Sequence, residues 1–141
     1  MRFLIIVKAT ADSEAGRFPP DPEPLFAAMA DYHEQLARAG VLLDAAGLQP
    51  SSKGWRVQYG PDGQRRVIDG PFTESKELVA GYTLIQTRSR EEALEWTRRF
   101  PHPVGEGEPC HIEVRPLYEA QDFEGVVAAR TAERFRAVGV G

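Results

Sequence analysis

The sequence predicts an α+β domain of ferredoxin-like plan: two split βαβ halves with a β-hairpin inserted between them, forming one antiparallel sheet with both helices on one face. Three observations predict it. Segments of strand-like composition and segments of helical period follow one another as strand, helix, strand, hairpin, strand, helix, strand. Gly60-Pro61-Asp62-Gly63 is a strong turn signal between two alternating runs. A chain of 141 residues can bury one substantial core, and a second independent core is not expected.

Phe3 to Val7 is a continuous β-branched and aromatic run, as a central strand requires. Residues 11 to 20 collect Asp, Ser, Glu, Gly and paired prolines without an apolar period and read as a loop. Asp21 then offers an N-cap and Pro22 a first helical position. Phe26, Met29, Ala30, His33, Leu36 and Ala37 recur at three-and-four spacing until Gly40. Val41 to Leu48 reads as a strand, and Pro50-Ser51-Ser52-Lys53-Gly54 as a turn. Residues 55 to 59 and 65 to 68 form the hairpin. Val79 to Thr87 is the next strand, and Ser89 with Glu92 makes a capping box for a helix carrying Ala93, Trp96, Thr97 and Phe100 on one face, stopped by Pro101. Cys110 to Leu117 alternates as the last strand, and residues 123 to 138 suggest a terminal helix. The division expected is therefore a domain over 1–119 and a helical C-terminal extension over 120–141. With both helices on one face, the other face is bare, and its Phe, Ile, Leu and Tyr side chains are expected to pack on a second copy as a homodimer.

Composition narrows the function classes. Hydrophobic (42%) and charged (27%) fractions are ordinary, and a net charge of −4 offers no field suited to phosphate backbones or anionic lipid, so neither nucleic acid nor a membrane is an expected partner. Cys110 is the lone cysteine, which excludes an intramolecular disulfide and a cysteine-rich zinc site and fits a reducing, cytoplasmic compartment. The apolar N-terminal run is too short for a signal peptide. No metal and no cofactor are expected: His33, His102 and His111 are scattered, and no nucleophile elbow, phosphate loop or dinucleotide fingerprint is present.

Asp69-Gly70-Pro71-Phe72-Thr73-Glu74-Ser75-Lys76-Glu77-Leu78-Val79-Ala80-Gly81-Tyr82 resembles the signature of the DGPF family, a branch of the YciI-like proteins. Gly47-Leu48-Gln49-Pro50-Ser51-Ser52, Glu91-Glu92-Ala93-Leu94-Glu95-Trp96 and Ile112-Glu113-Val114-Arg115-Pro116 fit the same pattern in order, over residues 1 to about 119. The resemblance implies a dimeric α+β barrel in which two ferredoxin-like sheets close face to face. It also implies an acid/base pair made of an Asp at the Gly-Pro turn and a His, and relatives that resemble lyases or dehydrochlorinases of ring compounds. Neighbouring sigma-factor genes in the family suggest a regulatory link, which no DNA-reading feature of this chain supports.

On that resemblance Asp69, His33 and His111 are the catalytic candidates, and Ser52, Tyr82 and Glu113 the substrate-binding ones. Each also has a structural explanation. Asp69 either caps a turn or projects into a cleft as a general acid or base. His33 lies on the helix's apolar face, either bonded to a backbone carbonyl or aimed at Asp69. His111 shares the polar side of the last strand with Glu113 and Arg115. Tyr82 is either a core phenol or a substrate contact, and Ser52 either a solvated turn residue or part of an anion contact. Two functions stay open: a cofactor-free lyase or isomerase moving a proton, and a non-catalytic ligand-binding or interaction module linked to sigma-factor regulation.

Overall fold

Period-two burial in Arg2–Lys8 makes that segment the organising strand, β1: Phe3 and Ile5 are buried while their neighbours are only half so. The computed structural model describes residues 1–73, 76–105 and 107–140, so Glu74 and Ser75 of the Asp69–Tyr82 block and Gly141 of the C-terminal extension lie outside the described residues. After β1 come α1 (Ala11–Glu14), α2 (Glu23–Arg38), β2 (Leu42–Gly47), a 3-10 turn (Ser51–Lys53), β3 (Trp55–Tyr59) and β4 (Arg65–Asp69). Then follow β5 (Val79–Gln86), α3 (Arg90–Arg98), β6 (Ile112–Pro116), a second 3-10 turn (Ala120–Phe123) and α4 (Ala129–Ala137). No helix among the described residues is long and apolar enough to cross a membrane.

The principal sheet has the order β2-β5-β1-β6 with every pairing antiparallel, the expected ferredoxin-like arrangement. Phe3, Ile5 and Ile85 meet Tyr32 and Leu36 of α2 and Ala93 of α3, with Trp96, Phe100, Ile112 and Val114 packed around them. Both helices therefore cover one face. Tyr32 joins them, donating its hydroxyl to the Trp96 carbonyl at 2.7 Å while its ring meets those of Trp96 and Phe100 edge-on. The registers Leu4↔Leu84, Ile6↔Tyr82 and Ile6↔Glu113 place Leu4, Ile6, Tyr82, Leu84 and Glu113 on the opposite, uncovered face.

Three local expectations are corrected. Residues 11–14 form a short helix rather than loop, because Thr10 and Ser13 cap each other's backbone N–H groups. Asp21 does not cap α2: Pro22 is the N-cap residue and no side chain bonds there, since Pro24 lacks the N–H that a carboxylate at position 21 would accept. The stretch 123–138 is not one helix, for Gly125 at φ 76° separates the 3-10 turn from α4.

The hairpin β3–β4 forms a sheet of its own with Trp55 opposite Asp69. All ten of its strand residues are exposed. It leaves the body at Gly54 and Gly70, where the Gly70 N–H donates to the Gly54 carbonyl at 3.0 Å.

Candidate functional site

The period of α2 sets two adjoining stripes, one carrying Tyr32 and Leu36 into the core and another carrying Phe26, Ala30 and His33 over the ends of β2 and β5. Beneath that second stripe the sheet presents small residues, Ala45, Gly47, Ala80 and Gly81, so the helix spans a gap instead of filling it. The result is a cavity of about 460 Å³. Phe26 and Ala30 are exposed and form its rim; Thr83, only 2% exposed, lies at its floor. Volume and lining are those of a small-molecule pocket.

His33 supplies the polar centre. Its Nδ1 lies 2.7 Å from the Met29 carbonyl, which can only accept, so Nδ1 carries a hydrogen. In the neutral ring Nε2 is then the lone-pair nitrogen, and the Thr83 hydroxyl 2.8 Å away donates to it. The rings of Tyr32 and Phe100 stand edge-on to the imidazole with centroids at 5.6 Å and 6.4 Å, holding its plane. The tautomer is thus set by the Met29 carbonyl and the Thr83 hydroxyl, neither of which titrates.

Asp69, the other member of the expected pair, is placed elsewhere. It ends β4, is exposed, does not line the cavity and makes no hydrogen bond or ion pair among the described residues. Its neighbour Gly70 is held hard against the first 3-10 turn: a Cβ there would lie 1.9 Å from the Ser51 carbonyl oxygen. His111 precedes β6, is exposed and also lies outside the cavity. One chain therefore brings neither Asp69 nor His111 to His33's cavity.

Of the binding candidates, Tyr82 belongs to the strand that borders the cavity, but its side chain is on the uncovered face, with its hydroxyl donated to Asp44 Oδ2 at 2.9 Å. That bond, and then the negative charge of Asp44, raise the phenol's pKa. Glu113 is on the uncovered sheet face between Arg115 (3.3 Å) and Lys8 (3.6 Å), whose cationic groups lower its pKa. Ser52 is exposed, and its neighbour Ser51 makes the contacts. Ser51 N–H donates to Glu14 Oε2 at 2.9 Å, its hydroxyl donates to Glu14 Oε1, and its Oγ accepts the Phe72 N–H at 3.0 Å. No group of three or more metal-ligating side chains occurs among the described residues.

Thr83 and Glu14 are the residues that sequence reasoning missed, together with the bond that joins Glu14 to Ser51 of the polar turn. Thr83 had a signal, for it alternates with Gly81 and Ile85 on the face of β5 opposite Tyr82 and Leu84. Glu14 and Ser51 had none, being 37 positions apart and joined only by the fold.

The YCII-related domain model matches residues 1–119. An uncharacterised protein of Rhizobium meliloti (strain 1021) is 32% identical over 89 residues, 63% of this chain and 69% of that protein. Among solved structures, 5-chloro-2-hydroxyhydroquinone dehydrochlorinase (TftG) from Burkholderia phenoliruptrix AC1100, in complex with 2,5-dihydroxybenzoquinone, is similar at 17% identity and a TM-score of 0.44, over 86% of this chain and 98% of that one.

Proposed function

The chain belongs to the YCII-related family, and from that premise we propose that it is a cofactor-free lyase or isomerase acting on a small ring compound held in the cavity beneath α2, with His33 as the proton carrier. The observation that carries this reading is the His33–Thr83 pair inside an otherwise apolar space. Met29 fixes the hydrogen on Nδ1, so Nε2 takes a proton without first changing tautomer. A substrate C–H or O–H presented at Nε2 displaces the Thr83 hydroxyl, which then has its own hydrogen free for the oxygen on which charge develops. Within the family we assign the chain to the DGPF branch on its Asp69–Phe72 and Gly47–Ser52 blocks.

A second reading, a ligand-binding module without turnover, is favoured by one observation: Asp69 is outside the cavity, and both His33 nitrogens already have partners. In either case the uncovered sheet face, with Leu4, Ile6 and Leu84, is the surface on which we place the homodimer contact.

The two functions separate experimentally. Small aromatic and carboxylic compounds are screened for a rise in unfolding temperature, because a ligand that binds the folded state alone stabilises it by about 2.7 kcal/mol at a hundred times its Kd. Ala30→Trp, which fills the rim, is expected to abolish the rise; equal stabilisation of both proteins rejects the cavity as the site. Turnover of a hit is followed by NMR, with His33→Gln expected to lose roughly 10² to 10⁴ in rate. Binding that His33→Gln preserves, with no turnover by the wild type, selects the binding module.

A further inference from the structure

We propose that the hairpin β3–β4 is an arm that docks on a second copy of this chain, seating its aromatic and arginine side chains on the acidic aromatic patch beside the cavity rim, so that each cavity is closed by its neighbour. The proposal concerns the cavity's surroundings and stands whether or not His33 carries out chemistry.

The arm begins the argument. Trp55 and Tyr59 are each 66% exposed and Val67 69%, and Val57 and Ile68 are exposed too, so the hairpin leaves its large apolar side chains uncovered, with Arg56 seated over the Phe72 ring at its base. A two-stranded hairpin alone is marginal in water, and Trp, Tyr and Arg together are the composition of an interface centre. The charge is predominantly positive, Lys53, Arg56, Arg65 and Arg66 against Asp62 and Asp69, in a chain whose net charge is −4. Arg65 lies over the Tyr59 ring at 5.0 Å, and neither Arg65 nor Arg66 has an ion pair among the described residues.

The receiving surface has the opposite character. Phe18 is 71% exposed and stacks edge-on against the exposed Phe26 with centroids 5.8 Å apart. Asp21 and Glu23 stand between these two rings in sequence, Asp31 follows one turn past Ala27, and none of the three carboxylates has an ion pair among the described residues. Phe26 is also the cavity's rim. Basic aromatic arm and acidic aromatic patch are thus complementary surfaces carried by the same chain, and Arg65 and Arg66 on the one and Asp21, Glu23 and Asp31 on the other have no ion pair among the described residues. Two strands of five residues and their turn reach about 17 Å from the body at Gly54 and Gly70. A second copy satisfies both surfaces at once, which no ligand of one charge does.

The test uses the full chain. Light scattering and sedimentation compare the wild type with Arg65→Glu/Arg66→Glu, with Asp21→Arg/Glu23→Arg, and with the four changes combined. Each charge reversal alone is expected to weaken self-association at least tenfold, and the combination to restore it, which misfolding does not do. In a Cys110→Ser background, protein carrying Trp55→Cys mixed with protein carrying Phe18→Cys is expected to form a disulfide-linked heterodimer under mild oxidation, suppressed by Arg65→Glu/Arg66→Glu. A monomeric wild type, self-association indifferent to both reversals, or absence of the heterodimer would each overturn the proposal. So would loss of binding to an acidic polymer as the sole effect of the arginine reversal.

Discussion

Gly70→Ala is the sharpest perturbation that the structure offers. The added methyl would stand 1.9 Å from the Ser51 carbonyl oxygen, 2.6 Å from its carbon and 3.2 Å from the Ser52 nitrogen. All three are backbone atoms, so no rotamer change relieves the clash, and ordinary contact near 3.4 Å demands a displacement of about 1.5 Å. The backbone at Gly70 is not in the left-handed region, so the requirement is space and not conformation. A shift of that size breaks the bond from the Phe72 N–H to Ser51 Oγ and the bond from Gly70 N–H to Gly54. Overpacking costs roughly 1–3 kcal/mol and each lost hydrogen bond about 0.5–1.5 kcal/mol. At a length close to 150 residues, 1 kcal/mol moves Tm by about 2–4 °C. A fall of at least about 4 °C is therefore expected by calorimetry, together with a changed fluorescence of Trp55, which pairs with Asp69 next to Gly70. Gly47→Ala is the control: nothing lies within 4 Å of its Cβ position, so it is expected to be neutral or to stabilise by about 0.4–1 kcal/mol. A Gly70→Ala protein that melts and fluoresces like the wild type would refute the reasoning.

Other expectations concern titration and the uncovered face. Burial raises the Tyr32 pKa from 10.0 to about 12, with Arg99 pulling weakly the other way. The raised value means that its contribution is complete below pH 10 and is lost between there and about pH 12. The stability gap between the wild type and Tyr32→Phe, measured in urea, should shrink over that window. Glu119 behaves oppositely: hydrogen bonds from Arg2 lower its pKa, so its contribution holds above the usual carboxylate range and vanishes as pH falls through the folded value. Glu119→Gln should accordingly differ from the wild type at neutral pH and converge with it in acid. Leu84→Asp, placing a charge at the centre of the uncovered face, should leave the protein monomeric by light scattering while preserving its circular dichroism; an unchanged mass would exclude that face as the dimer contact.

Much of the architecture was legible because it rests on periodicities that local sequence carries. The strand and helix order, the hairpin turn at 60–63 and the Ser89 cap are local matters, and the structure has each of them. The helix α2 shows where local reading stops. Its expected buried stripe ran through Phe26, Met29, Ala30, His33, Leu36 and Ala37; of these the core takes Leu36, and beside it Tyr32, which the stripe left out. Tyr32 carries a hydroxyl and is discounted by any apolar count, but α3 supplies the Trp96 carbonyl that satisfies it. Phe26 and Ala30 are apolar for a different reason, since they border a cavity. A stripe read from sequence does not distinguish filled space from empty space, and the smallness of Ala45, Gly47, Ala80 and Gly81 that keeps the cavity open is spread over two strands.

The same limit explains the most distinctive motif. Gly70 is required where it is because the Ser51 carbonyl passes within one methyl's reach, and position 72 presents its N–H to Ser51 Oγ while the Phe72 ring lies under the Arg56 guanidinium. Ser51 is in turn tied to Glu14 of α1, and it follows shortly after Gly47, where β2 ends at the cavity. The motif, α1 and the end of β2 are thus clamped together at the cavity's end of the sheet, with Leu48 bonded to Ala80 and Ala9 to Leu78 across the same junction. A run that looks like chemistry in the sequence therefore has a complete positional role, in which Asp69's carboxylate takes no part within one chain. His33, the proton carrier of the proposed reaction, has the sequence context of an ordinary helix, because Met29 and Thr83, which hold its two nitrogens beside the cavity, are brought to it by the fold.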